Sequence, residues 1–92
     1  MSHEVVREVE IRNRLGLHAR AAAAFVRVAG RYRADVTVEL DHAAVDGKSL
    51  LGLLTLGASQ GKRIRLRARG EMAEALVAAL VALVEGRFGE TE

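Results

Sequence analysis

The chain is 92 residues long, half of them apolar and 28% charged, with a formal net charge of +2. That length allows one hydrophobic core, and a balance so close to neutral does not mark a nucleic-acid-binding chain. The absence of cysteine excludes disulfides, thiol catalysis and thiolate metal sites, and fits a reducing compartment.

The opening MSHEVVREVE has no apolar signal core, and the longest apolar run, residues 75–84, is half a membrane span, so a cytoplasmic chain without membrane insertion is expected. Residues 5–12, VVREVEIR, alternate from Arg7 onward, with Val9 and Ile11 on one side and Glu8, Glu10 and Arg12 on the other, which predicts a strand. From Ala19 to about Ala29 the spacing of Ala22, Phe25, Val26 and Ala29 predicts an amphipathic helix closed by Gly30. Residues 35–41, DVTVELD, alternate again with Val36, Val38 and Leu40 inward. A turn at Asp41 and His42 leads into a short strand closed by Asp46 and Gly47.

Residues 48–56, KSLLGLLTL, predict a short helix packed on the surface. Residues 62–69, KRIRLRAR, are the clearest strand, with Ile64, Leu66 and Ala68 on one face and arginine on the other. A last helix, from Glu71 to about Glu85, has Met72, Ala75, Leu76, Ala79, Leu80 and Leu83 as its expected core stripe. The polar tail GRFGETE follows, with Glu90 and Glu92 expected to be disordered. Residues 1–92 thus read as a single domain of order βαββαβα. Strands with one apolar face and three helices to cover it predict an α+β, two-layer open-faced sandwich on a four-stranded antiparallel sheet.

The stretch RLGLHARAAAAF places His18 at or just before the first turn of the first helix. Amides without intrahelical partners and the positive end of the peptide dipole make that turn a site for phosphate. Imidazole is nucleophilic when neutral near pH 7, and Arg20, two residues on, could offer forked donors to phosphoryl oxygens. The residues alone leave a second reading open, in which His18 only caps the helix. A metal site is not expected, because neither His3 nor His42 has helical spacing to His18.

NRLGLHAR at residues 13–20, GKSLLGLLTLG at 47–57 and SQG at 59–61 resemble the motifs of the histidine-containing phosphocarrier (HPr) family of the bacterial phosphoenolpyruvate-dependent sugar phosphotransferase system. The resemblance runs over nearly the whole chain. It implies a phosphoryl carrier, not an enzyme, with no cofactor and no metal. His18 would be phosphorylated on Nδ1 by phosphorylated enzyme I and would pass the group to enzyme II A components, with Arg20 steadying it. It also implies a regulatory phosphorylation at Ser49 by an HPr kinase/phosphorylase, and partner docking along Ala19, Ala23 and Arg27, which would extend an exposed patch at Leu51 and Leu54, since the short second helix cannot bury all four of its leucines. A monomer is expected. The family usually has proline where this chain has Ala21, which should loosen the helix start and add a free amide.

Read from the residues, Ser49 is equally an ordinary N-cap, and the leucines near it could be core. Two alternatives stand beside the carrier. One is a regulatory or nitrogen-related paralogue not coupled to sugar transport. The other, more distant, is a small nucleic-acid-binding domain using the stripe Lys62, Arg63, Arg65, Arg67 and Arg69. Against the latter, the strand has no aromatic residue for stacking, and Glu8, Glu10 and Glu39 could sit across from the arginines if this strand pairs between the first two.

Overall fold

A computed structural model of the chain describes residues 4–92; His3, expected at a solvated terminus, lies outside them. The elements are β1 (Glu4–Glu10), α1 (Ala19–Ala29), β2 (Asp35–Leu40), β3 (Ala43–Asp46), α2 (Leu50–Leu56), β4 (Arg63–Arg69), α3 (Ala73–Glu85) and a single 3-10 turn at Arg87–Gly89. The strands form one antiparallel sheet of order β1-β4-β2-β3. It is the expected α+β open-faced sandwich.

Alternation in the strands maps directly onto burial. Val9 of β1 faces Ile64 of β4, and Val38 of β2 faces Leu66, and all four are buried. Phe25, Ala22 and Ala29 of α1 and Leu76 and Leu80 of α3 close over that layer. Burial of this apolar surface, at about 25 cal/mol per Å², is the main force holding sheet and helices together. The strand ends differ from expectation by a residue or two. β1 stops at Glu10, yet Ile11 stays buried because its amide donates to Lys62 O at 2.8 Å and its carbonyl accepts from Gly61 N at 2.8 Å. The β2–β3 turn is a tight one, with Asp41 at φ 55° and His42 exposed.

The core stripe of α3 requires correction. Ala73, Leu76, Val77, Leu80 and Val84 are buried, whereas Met72 and Ala75 are exposed and Ala79 and Leu83 half-buried. Met72 stands before the helix, where its Sδ accepts from Arg33 N at 3.5 Å and its own amide donates to Arg33 O at 3.2 Å. The helix is alanine, valine and leucine nearly all round, so its sequence carries little phase; packing against β1 and β4 chose the face.

On the open face, Glu8 bonds Arg63 at 2.7 Å, Glu4 bonds Arg69 at 2.7 Å, and Arg67 lies between Glu4 at 3.0 Å and Glu39 at 3.2 Å. Arg65 reaches Glu39 at 3.8 Å. The arginine stripe is therefore laddered with acids from both neighbouring strands. Arg69 holds the Glu4 carboxyl below its ordinary value, and Arg63 does the same for Glu8. A stripe occupied in this way has little charge left for a phosphate backbone.

Candidate functional site

His18 is the N-cap of α1, with extended backbone at φ −75° and ψ −179°. Three features of the preceding loop put it there. Gly16 sits at φ +66°, and a Cβ on it would fall 2.6 Å from Ala58 O and 2.9 Å from Ser59 Cα, so the loop needs glycine both for its backbone conformation and for space. Leu17 N then donates to Ala58 O at 2.8 Å, tying residues 13–17 to the segment after α2. The buried side chain of Asn13 donates to Gly16 O at 2.8 Å and braces the loop from below.

The imidazole is held at both nitrogens. Nδ1 accepts from Arg20 N at 3.2 Å, and Nε2 lies 2.5 Å from Glu90 Oε2. A ring nitrogen that accepts carries no proton, so the proton sits on Nε2 and is donated to the carboxylate. The ring is less than a quarter exposed, with Nδ1 at the helix mouth. Among the described residues the amides of Ala19 and Ala21 carry no hydrogen bond, as orphan donors of a first turn. Ala21 itself is buried. Arg20 is exposed and lines an open cleft of about 310 Å³ with Arg14, Leu15, Glu90, Thr91 and Glu92.

The tail contradicts the expected disorder of Glu90 and Glu92. Phe88 packs against the core, Glu92 O accepts from Arg14 N at 2.9 Å, and Arg14 Nη1 meets Glu92 Oε1 at 3.3 Å. Glu90 Oε1 accepts from Asn13 Nδ2 at 3.0 Å. That amide, and after it the His18 bond, hold the Glu90 carboxyl below its ordinary value, against the opposing effect of burial. Asn13 and Glu90 were not singled out from the sequence. The available signal was a lone aromatic, Phe88, in an otherwise polar tail, since such a residue anchors its neighbours in the chain.

Ser49 is the N-cap of α2, and its Oγ accepts from Gly52 N at 3.0 Å. In this short helix Leu53 is completely buried, while Leu51 is 72% exposed and Leu50 and Leu54 are exposed as well. Ala19 and Arg27 on α1 are exposed and Ala23 is half-buried; α1 packs beside α2. Ala19, Ala23 and Arg27 thus lie on α1, and Leu51 and Leu54 on the neighbouring α2. Among the described residues no group of three or more His, Cys, Asp or Glu side chains is placed to hold a metal ion. Among the same residues no helix is long and apolar enough to cross a membrane.

Fold and site together define an open-faced α+β sandwich that presents one hydrogen-bonded histidine at the mouth of its first helix. The family model described as "PTS HPr component phosphorylation site" matches residues 5–86. Phosphocarrier protein HPr of Pseudomonas aeruginosa is 46% identical over 86 residues, covering 92% of this chain and 96% of that protein. Phosphocarrier protein NPr of Shewanella violacea is 40% identical over 84 residues, covering 91% and 92%. The crystal structure of HPr-C-His from Thermoanaerobacter tengcongensis superposes with a TM-score of 0.89 at 43% identity, covering 98% of this chain and 99% of that one. The chain belongs to the HPr family of phosphocarrier proteins, which are carriers and not enzymes.

Proposed function

We propose that residues 1–92 act as one cytoplasmic HPr domain in which His18 accepts a phosphoryl group on Nδ1 from phosphorylated enzyme I and passes it to enzyme II A components for sugar uptake. The observation that carries this reading is the Nδ1 atom of His18, which accepts from the Arg20 amide in the first turn of α1. A phosphoryl group on that atom would meet the orphan amides and the positive end of the helix, which stabilise an anion. Arg20 supplies the counter-charge, and Ala21 adds an amide that proline would lack. Transfer between two protein partners needs no bound cofactor.

Ala19, Ala23, Arg27, Leu51 and Leu54 form the docking surface in this reading: apolar side chains beside the phosphoryl site, with arginine to meet an acidic partner. Phosphorylation of Ser49 by an HPr kinase/phosphorylase would add about −1.5 to −2 charges inside that surface and repel the same partner. The protein acts as a monomer. A second reading, a nitrogen-related or regulatory paralogue, draws on the likeness to the Shewanella NPr and keeps the same chemistry with different partners.

The test is incubation with phosphoenolpyruvate and catalytic enzyme I, then intact mass and phosphorus NMR. A stoichiometric, acid-labile phosphoramidate that is absent in His18→Ala is expected. A folded protein that acquires no phosphoryl group would overturn the carrier reading. Transfer onward to sugar-specific or to nitrogen-related enzyme II A proteins separates the two readings.

A further inference from the structure

We propose that Glu90 is a positioning residue for His18: through the chain of hydrogen bonds Asn13–Glu90–His18 it keeps the ring proton on Nε2 and leaves Nδ1 unprotonated, so that its lone pair can exchange the Arg20 amide for phosphorus. This rests on the carrier reading and extends it to a residue of the tail.

The three side chains leave little choice of proton position. Asn13 is fully buried and spends both amide protons, one on Gly16 O at 2.8 Å and one on Glu90 Oε1 at 3.0 Å. Turning that amide over would set its oxygen against two acceptors, so its orientation is determined by the network. Glu90 is thereby fixed with Oε2 at 2.5 Å from His18 Nε2. Were the proton on Nδ1, a bare Nε2 lone pair would face a carboxylate oxygen and Nδ1 would lose its bond from Arg20 N. Carboxylates that hold the far nitrogen of a working imidazole set its tautomer and orientation in this manner.

The tail is bent specifically to reach this place. Arg87, Phe88 and Gly89 are consecutive left-handed residues, at φ 59°, 55° and 81°, and two of them are not glycine. Such conformations persist only where surrounding contacts over-determine them. Phe88 against the core and Glu90 against Asn13 and His18 are those contacts.

In the transfer step the Nδ1 lone pair forms the nitrogen–phosphorus bond while the bond from phosphorus to its donor breaks, the electron pair leaving with the donor. No proton leaves His18. The ring keeps its Nε2 proton and takes on positive charge, which the Glu90 carboxylate balances. On the return step the ring departs as neutral imidazole. The other charges facing this pair are Arg20 from α1, Arg14 from the preceding loop and Glu92 from the tail, all around the same cleft.

The experiment compares wild type, Glu90→Ala and Glu90→Gln, with the exposed Glu85→Ala as control, by two measurements. Long-range proton–nitrogen NMR of the free protein reads which ring nitrogen of His18 is protonated and involves no phosphoryl donor. Steady-state phosphorylation by phosphoenolpyruvate and enzyme I reads kcat and KM for the carrier. Wild type and Glu85→Ala should show the Nε2–H tautomer. Glu90→Ala should show mixed tautomers and a kcat about tenfold lower at unchanged KM. Glu90→Gln, which offers one acceptor where the carboxylate offers two, should fall between. An unchanged tautomer and kcat in Glu90→Ala would overturn the proposal, as would a raised KM with kcat retained, which would assign Glu90 to docking. A wild type that enzyme I does not phosphorylate, but whose tautomer still responds to Glu90→Ala, overturns the carrier reading and supports the hold of Glu90 on the ring.

Discussion

Glu90 Oε2 lies 2.5 Å from His18 Nε2 although 72 residues of chain separate them. The contact makes the tail part of the site, and it carries a pH dependence. The Asn13 amide, then His18, hold the Glu90 carboxyl below its ordinary 4.5. A carboxyl whose folded value is depressed binds its proton less readily folded than unfolded. Its contribution to stability is thus present above pH 4.5 and is lost as pH falls through the folded value. Glu4 and Glu8, lowered by Arg69 and Arg63, act in the same direction. Thermal unfolding monitored by circular dichroism should give a Tm that is level down to about pH 5 and falls below it, with a shallower fall in Glu90→Gln. A Tm that rises on acidification would contradict this assignment.

Gly16→Ala should be among the costlier single changes in the loops, because Gly16 is buried against residues 58–59. The added methyl group meets backbone, at 2.6 Å from Ala58 O, and alanine is strained at φ +66°. A loss of about 2–3 kcal/mol in urea unfolding is expected. Because the same loop carries His18, phosphorylation by enzyme I should fall as well. Stability within a few tenths of wild type would show that the loop can move away from residues 58–59.

Leu53 and Leu51 stand two residues apart on α2 and should behave oppositely. Leu53→Ala empties a fully buried position and should cost about 2–4 kcal/mol. Leu51→Ala, at 72% exposure, should change stability by less than about 0.5 kcal/mol and raise the KM for a partner protein. Unfolding curves together with transfer kinetics separate the two effects. An unaltered KM in Leu51→Ala would remove that residue from the docking surface.

Ser49→Ala removes the bond to Gly52 N and should cost about 1 kcal/mol, read from the urea midpoint. Transfer through His18 should continue in this variant, since the cap and the phosphoryl site lie on different helices. If an HPr kinase/phosphorylase acts on the protein, labelling from ATP should vanish in Ser49→Ala. Labelling that persists would move the modification elsewhere.

Much of the architecture was legible in the residues because period-two patterns are hard to misread. Val36 and Val38, and Ile64, Leu66 and Ala68, can bury only one face, and a slip of one residue would invert them all. The same clarity held for α1, where Phe25 and Ala22 mark one side and Gly30 ends the run. The ladder between Glu8, Glu39 and the arginines of β4 came with the placement of β4 between β1 and β2. Periodicity failed for α3, whose apolar surround let Met72 pass for core when Ala73 and Val77 are the buried residues.

The sequence by itself determined the element order, the strand faces, the position of His18 at a helix mouth and Ser49 before a short helix, because each depends on neighbours within a few residues. Only the tertiary structure decided the phase of α3, the exposure of Leu51 against the burial of Leu53, and the pairing of His18 with Glu90 through Asn13. Those outcomes depend on which surfaces meet when distant segments pack. Local periodicity carries no record of a contact made across 72 residues.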